Sequence, residues 1–84
     1  MPGSGHSTDE IRTAIKQTIA DVTQLQPAQI VDTALFEDLG IDSLTATEIM
    51  VHVDHKYKIR LPPEDLGKIR NVDDAVAVVL RHLH

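Results

Sequence analysis

The sequence predicts an all-α fold, a small bundle of three to four helices with a long loop between the first and second helices. Three observations support this prediction. Apolar residues recur every three or four positions in three separate stretches, which is the spacing of one helix face. The 84 residues include one Phe and one Tyr, so the core must be aliphatic. No cysteine is present, which excludes disulfides, thiolate zinc sites and a protein thiol as catalyst.

The first helix is predicted over residues 8–25. Ser7 and Glu10 have the spacing of a capping box, which marks a helix start. Residues 1–7 before it are rich in Gly, Ser and Pro, so we expect a disordered tail, native or left by cloning, ahead of a folded domain at 8–84. The apolar face of this helix consists of Ile11, Ile15, Ile19 and Val22.

A long loop follows, with Pro27 near its start, no sustained apolar period, and Gly40 at its end. A loop of this length in so small a domain usually has a function. We expect four of its apolar side chains to tuck under the helices, namely Ile30, Leu35, Phe36 and Leu39.

The second helix is predicted to begin at Ser43, with Asp42 as its N-cap, and to end near Tyr57 or Lys58. Pro62 and Pro63 cannot continue it. Its predicted buried face is Ala46, Ile49, Val53 and Tyr57, with Met50 at the edge.

A short helical turn is predicted over residues 64–68, followed by a last helix over 72–83. Asn71 and Asp74 resemble an N-cap and its partner at the start of that last helix. Its apolar face is Val72, Val76, Val79 and Leu83.

The formal net charge of −5 argues against nucleic acid or an anionic membrane as the main partner and suits partners with basic patches. No apolar run is long enough to span a bilayer, and no signal peptide is visible. We therefore expect a soluble, cytoplasmic monomer. His52 and His55, with Asp54 between them, could suggest a metal, but two such ligands without a third group favour solvated surface residues, and we predict no metal site.

Ser43 allows four interpretations: an ordinary residue of a first helical turn, a hydrolase nucleophile, a phosphorylation site, or a passive acceptor that another enzyme modifies. The nucleophile interpretation lacks a base, because His52 would lie about 13 Å along the helix axis from Ser43. A passive acceptor needs only exposure. The N-terminus of a helix also favours an attached phosphate, although Asp42 opposes that negative charge.

The stretch "FEDLGIDSLTATEI" resembles the attachment motif of the acyl carrier proteins, in which Leu-Gly, one variable residue and Asp-Ser-Leu precede and open the second helix. The matching residues are Leu39, Gly40, Asp42, Ser43 and Leu44. The similarity continues through Glu48, "YKIRLP" at 57–62 and "DLGKIRNVDDAV" at 65–76, and covers residues 8–83.

This resemblance implies that a phosphopantetheinyl transferase moves 4′-phosphopantetheine from coenzyme A onto Ser43, beside Asp42. The thiol of that arm would carry acyl groups as thioesters, so the chain would be a non-catalytic carrier serving ketosynthases, acyltransferases or other acyl-processing enzymes. The second helix would be the recognition helix, and Leu66, Ile69 and Val72 are candidates to border an acyl cavity. The expected docking residues are Leu44, Thr47, Glu48 and Val51, with Asp38 and Glu37 at the rim.

The second helix departs from the densely acidic pattern of fatty-acid carriers, because it carries Thr45 and Thr47 and then a neutral to basic half from His52 to Lys58. "DSLTA" is similar to polyketide carriers, so a discrete carrier for polyketide or related specialised-metabolite biosynthesis is favoured. The alternatives are a fatty-acid synthase carrier or an unmodified helical interaction module, and an enzyme in its own right is a distant third.

Overall fold

The computed structural model describes residues 7–83 and contains four α-helices in this range. They are α1 (Thr8–Thr23), α2 (Ser43–Tyr57), α3 (Pro63–Leu66) and α4 (Val72–His82). The all-α prediction, with a long loop between the first two helices, is confirmed. The predicted disordered tail lies outside the described residues except for Ser7.

Helix α1 begins as the capping signal predicts, because the Ser7 hydroxyl oxygen accepts a hydrogen bond from the Glu10 N–H at 3.0 Å. It ends two residues earlier than expected. Gln24 adopts a left-handed conformation with φ of 68°, and its N–H donates to the Ala20 carbonyl. This turn satisfies a carbonyl of the last helical turn and directs the chain into the loop.

The core is aliphatic and lies where α1 packs against α2 and α4. Ile11, Ile15 and Ile19 are fully buried, while Val22 is only half-buried. The prediction for Met50 was wrong, because this side chain is 1% exposed rather than at the edge of the buried face. The remaining buried members are Ile30, Phe36, Ile41, Ile49, Val53, Leu61, Ile69, Val72, Ala75, Val76, Val78 and Val79.

The long loop contains two 3₁₀ turns, Pro27–Gln29 and Phe36–Leu39. Ile30 and Phe36 are buried and Leu39 is half-buried, as expected. Leu35 is 37% exposed, so its predicted burial was wrong. It immediately precedes the second turn, and its side chain lines the rim of a surface cavity instead of entering the core.

Two backbone hydrogen bonds fasten the loop to the segment that opens α4. The Phe36 N–H donates to the Arg70 carbonyl at 2.8 Å, and the Asp73 N–H donates to the Asp32 carbonyl at 3.2 Å. The Arg12 guanidinium also joins the carboxylates of Asp32 and Asp73, and so connects α1, the loop and α4. These contacts hold the loop against the bundle.

Helix α3 is a single turn with proline in its first turn, and α4 begins at the predicted Asn71 cap, whose side-chain oxygen accepts from the Asp74 N–H at 2.7 Å. Leu83 follows α4 and is half-buried. Across residues 7–83, no helix has both the length and the apolar character needed to cross a membrane.

Candidate functional site

A tight turn brings Ser43 to the surface. Gly40 has φ of +79°, a left-handed backbone conformation that is unfavourable for residues with a Cβ. Its N–H donates to the Glu37 carbonyl at 3.1 Å. The next N–H, of Ile41, returns to the Phe36 carbonyl at 2.9 Å, and the Ile41 side chain is 3% exposed. Ile41 therefore anchors the turn in the core, and the two residues after it emerge at the start of α2.

Asp42 is the N-cap of α2, as predicted. Its Oδ1 accepts a hydrogen bond from the Thr45 N–H at 2.8 Å. Hydrogen bonding from Thr45, with a smaller contribution from the Leu44 N–H, lowers the pKa of the Asp42 carboxyl below its usual range. The ionised carboxylate therefore occupies one of the free N–H groups at the positive helix N-terminus, which would otherwise be available to a phosphate.

Ser43 is the first residue of α2 and is exposed. Its carbonyl oxygen accepts a hydrogen bond from the Thr47 hydroxyl at 2.9 Å, one helical turn later. Within residues 7–83, the cavity that Ser43 shares is lined by no histidine, cysteine or lysine. The cavity therefore lacks the histidine or lysine base that activates a serine nucleophile, and its nearest carboxylate, Asp42, accepts the Thr45 N–H as the helix cap.

An apolar cavity of about 700 Å³ opens beside Ser43, between α2, α3 and the second 3₁₀ turn. This volume lies in the range of about 300–1,000 Å³ that is typical of small-molecule sites. Asp42, Ser43 and Thr47 stand exposed at its mouth. Its other lining residues are Leu35, Phe36, Glu37, Ile41, Ala46, Met50, Pro63, Leu66, Gly67, Ile69 and Arg70.

Leu66 and Ile69 line this cavity, as the resemblance implied, but Val72 does not. Val72 is fully buried at the first turn of α4, where it packs in the core. Sequence reasoning missed Ile41 and Met50 as cavity residues. The turn at Gly40 could have identified Ile41 from the sequence. A turn of this kind leaves few directions in which the side chain of the next apolar residue can be buried.

The outward face of α2 carries the expected docking residues. Leu44 is 70% exposed and Val51 is 45% exposed, which are large fractions for apolar side chains. Thr47 and Glu48 are exposed on the same helix. Glu37 and Asp38, in the 3₁₀ turn before it, are also exposed and add negative charge near Ser43.

The histidines of α2 do not converge with other ligands. His52 and His55 are both exposed, and residues 7–83 contain no group of three or more His, Cys, Asp or Glu side chains arranged to hold a metal ion. Asp54 is half-buried, and its Oδ2 accepts from the Leu61 N–H at 3.3 Å. Burial raises the pKa of the Asp54 carboxyl, with the Leu61 hydrogen bond opposing that effect.

Comparison with known proteins decides the family. The sequence pattern described as the phosphopantetheine attachment site matches residues 13–79. The chain belongs to the acyl carrier protein family. It is therefore a non-catalytic carrier that bears 4′-phosphopantetheine. Membership of this family implies a phosphopantetheinyl transferase and acyl-processing enzymes as partners.

Several named relatives of this carrier are themselves acyl carrier proteins. It is 39% identical over 75 residues to an acyl carrier protein of Rhodococcus erythropolis, an alignment covering 88% of this chain and 82% of that protein. It is 40% identical over 72 residues to the meromycolate extension acyl carrier protein of Mycobacterium tuberculosis, covering 84% of this chain and 63% of that longer protein. The acyl carrier protein structure from Thermotoga maritima superposes with a TM-score of 0.79 at 17% identity, covering 89% of this chain and 88% of that one, and so shares the fold.

The residues around Ser43 fit a phosphopantetheine arm. An exposed hydroxyl at the first turn of a helix can be reached from solvent, and an apolar cavity lies directly beside it. When bound, the arm supplies the thiol that this cysteine-free chain lacks.

Proposed function

We propose that Ser43 is the residue that bears the 4′-phosphopantetheine arm. The observation that carries this proposal is an exposed serine hydroxyl at the mouth of an apolar cavity, with no histidine, cysteine or lysine among the described residues that line that cavity. In the proposed reaction, the Ser43 Oγ bonds to the phosphorus of the phosphopantetheine half of coenzyme A. The pyrophosphate bond breaks, the nucleotide half leaves, and the transferase accepts the hydroxyl proton.

The cavity is proposed to receive the apolar part of the carried acyl chain. Ala46 and Met50 of α2 line it together with Leu66 and Ile69, and Ser43 is exposed beside it. Burying a methylene is favourable by about 0.8 kcal/mol, so an acyl chain has a reason to enter such a cavity whenever no enzyme holds it.

Partner enzymes are proposed to dock on the outward face of α2. Leu44 and Val51 give this face two exposed apolar side chains close to the cavity mouth. Glu48 lies between them, and Glu37 and Asp38 extend the negative charge at the rim, which suits an enzyme with a basic patch around its entrance. The Thr47 hydroxyl donates its hydrogen bond to the Ser43 carbonyl, so the Thr47 methyl group is the part of this side chain that can contact a partner.

The pathway is proposed to be polyketide or a related specialised biosynthesis, because the second half of α2 is neutral to basic. The meromycolate extension carriers among the relatives favour a second candidate, a carrier for long fatty-acid extension. Acylation tests the difference. The holo-carrier is incubated with malonyl-CoA, a malonyl transferase and either a polyketide or a fatty-acid ketosynthase, and productive condensation with the second alone would reject the polyketide assignment.

The attachment site is tested by intact-protein mass spectrometry. The protein is incubated with coenzyme A, magnesium and a broad-specificity phosphopantetheinyl transferase. Wild type should gain the mass of one phosphopantetheine, and Ser43→Ala should gain none. Ser7→Ala is the matched control, because Ser7 is also an exposed serine at the start of a helix and should leave the modification intact.

Modification of Ser43→Ala would overturn the assignment. No gain in folded wild type, with circular dichroism showing native helix content, would favour the alternative of an unmodified interaction module that uses the face around Leu44.

A further inference from the structure

The outward face of α2 changes character along its length. At 100° per residue, the positions opposite the buried face are Leu44, Glu48, Val51 and His55, in that order, and Lys58 follows as the C-cap of the helix, in a left-handed conformation with φ of 56°. Leu44 and Val51 are the exposed apolar residues already described, and Glu48, His55 and Lys58 are all exposed. From Ser43 outward, this face is apolar and acidic first, and the helix ends in the cation of Lys58.

The exposed charges beside the helix differ between its two ends. Near Ser43 the exposed carboxylates of Glu37, Asp38 and Asp42 add to Glu48. At the far end the exposed cations are Lys56, Lys58 and Arg60, while the exposed carboxylates of Asp9 and Glu10, at the start of α1, line a shared cavity with Lys56. Within residues 7–83, none of Glu37, Asp38, Glu48, Lys58 and Arg60 forms an ion pair with another side chain.

The two ends are far enough apart to be recognised separately. Glu48 and Lys58 are ten residues apart in sequence, which is about 15 Å along a helix axis. The Debye length is about 8 Å at physiological ionic strength, so the field of one end is largely screened at the other. A uniformly basic docking surface would therefore attract the Ser43 end of α2 and be repelled by the Lys58 end.

We propose that this carrier's acyl-processing partner has a bipolar docking face, with basic side chains around its entrance and acidic side chains about 15 Å away, where the Lys58 end of α2 comes to rest. This inference rests on the proposed function, since it assumes that Ser43 must be presented to the partner's active site. It specifies the charge pattern of an enzyme partner, whereas the proposed function requires only a basic patch.

A second copy of this chain is a poorer occupant of the same face. Antiparallel pairing of two α2 helices would match Glu48 with Lys58, but it would cover the Ser43 mouth of both copies. The apolar part of the face consists of two separated side chains, Leu44 and Val51, while stable interfaces bury about 800 Å² on each partner. The covered Ser43 mouth and the small apolar area therefore favour a transient enzyme partner over a second copy.

The test uses two forms of one ketosynthase as probes. The first has a uniformly basic docking face. In the second form, two lysines of the ketosynthase that lie opposite the far end of α2 are replaced with glutamate. The octanoyl-loaded holo-carrier is first verified by mass, and the second-order rate constant for octanoyl transfer to each ketosynthase is then measured at low and high salt.

Wild-type carrier should react about five- to ten-fold faster with the glutamate-bearing ketosynthase, and high salt should shrink this preference. Lys58→Glu should reverse the preference. Arg81→Glu is the matched control, because it makes the same charge change at an exposed residue in the last turn of α4, and it should keep the wild-type preference.

Equal rates with both ketosynthases, or faster transfer to the uniformly basic one, would overturn the bipolar partner. So would an Arg81→Glu variant that shifts the preference as much as Lys58→Glu, or a stable dimer in sedimentation that Lys58→Glu dissociates. Failure of the proposed function is distinguishable, because then the mass check finds no loaded carrier.

Discussion

Loading an acyl chain into the cavity beside Ser43 should raise the melting temperature of this carrier. The cavity wall contains Ile41, Met50 and Ile69, which are all at least 94% buried, so a chain that enters leaves water. An octanoyl chain has six methylenes more than an acetyl group, and burying four of them at about 0.8 kcal/mol each gives a gain of about 3 kcal/mol. Ordering a flexible unbranched chain costs about 2 kcal/mol, by analogy with long side chains. The net stabilisation is about 1 kcal/mol.

For a domain of this size, 1 kcal/mol corresponds to a shift of about 4–8 °C. The assay compares thermal unfolding of protein loaded with amide-linked octanoyl phosphopantetheine, which cannot hydrolyse, with protein loaded with the acetyl analogue. The octanoyl form should melt about 4–8 °C higher.

Ala46→Leu provides the matched test, because Ala46 lines the cavity and a leucine there would occupy the space of the chain. This variant should accept both analogues and lose the difference between them. Equal melting temperatures for the octanoyl and acetyl forms of wild type would refute burial of the chain. The same conclusion would follow if Ala46→Leu kept the full difference in melting temperature between the two forms.

Three further predictions concern the scaffold. Gly40→Ala should destabilise the fold by about 1–2 kcal/mol, because its φ is +79°, and urea unfolding should show a lower midpoint. Asp32→Asn should cost about 1 kcal/mol at pH 7, since it removes the ion pairs with Lys16 and Arg12. Those partners, Lys16 first, lower the pKa of Asp32 in the folded state, so its contribution is present above the unfolded pKa of about 3.9 and is lost as pH falls through the folded value. An unchanged difference between wild type and Asp32→Asn at pH 3 would contradict this. Burial raises the pKa of Asp54, so its contribution is greatest below about pH 3.9 and declines as pH rises through the folded value. The stability of Asp54→Asn relative to wild type should therefore improve from pH 3 to pH 7, and a constant difference would show that the folded pKa is not raised.

Helix spacing and capping residues predicted most of the fold. Ser7, Asp42 and Asn71 each cap the helix that the sequence assigned to them, because a cap is a local interaction between residues three apart. Met50 was misplaced for the opposite reason. A helical wheel centred on the residues that face α1 puts Met50 at the edge, but the long loop and α3 cover that side as well.

The site was only partly predictable. The motif around Ser43 is enough to predict the proposed attachment residue and its cap, since both lie within a few positions in the sequence. The cavity required the folded chain, because its walls come from the loop, α2, α3 and the segment before α4. The same holds for the ion pairs of Arg12 with Asp32 and Asp73, which lie 20 and 61 residues away in sequence and follow no local pattern.

Peptide fragmentation is the most direct way to locate the phosphopantetheine arm on the chain. After treatment with coenzyme A and the transferase, trypsin should release residues 17–56, in which Ser43 is the only serine among several threonines. Attachment at Ser43 predicts that the fragment ions carrying one phosphopantetheine begin at that residue. Assignment of that mass to Thr45, Thr47 or any residue outside this peptide would contradict it.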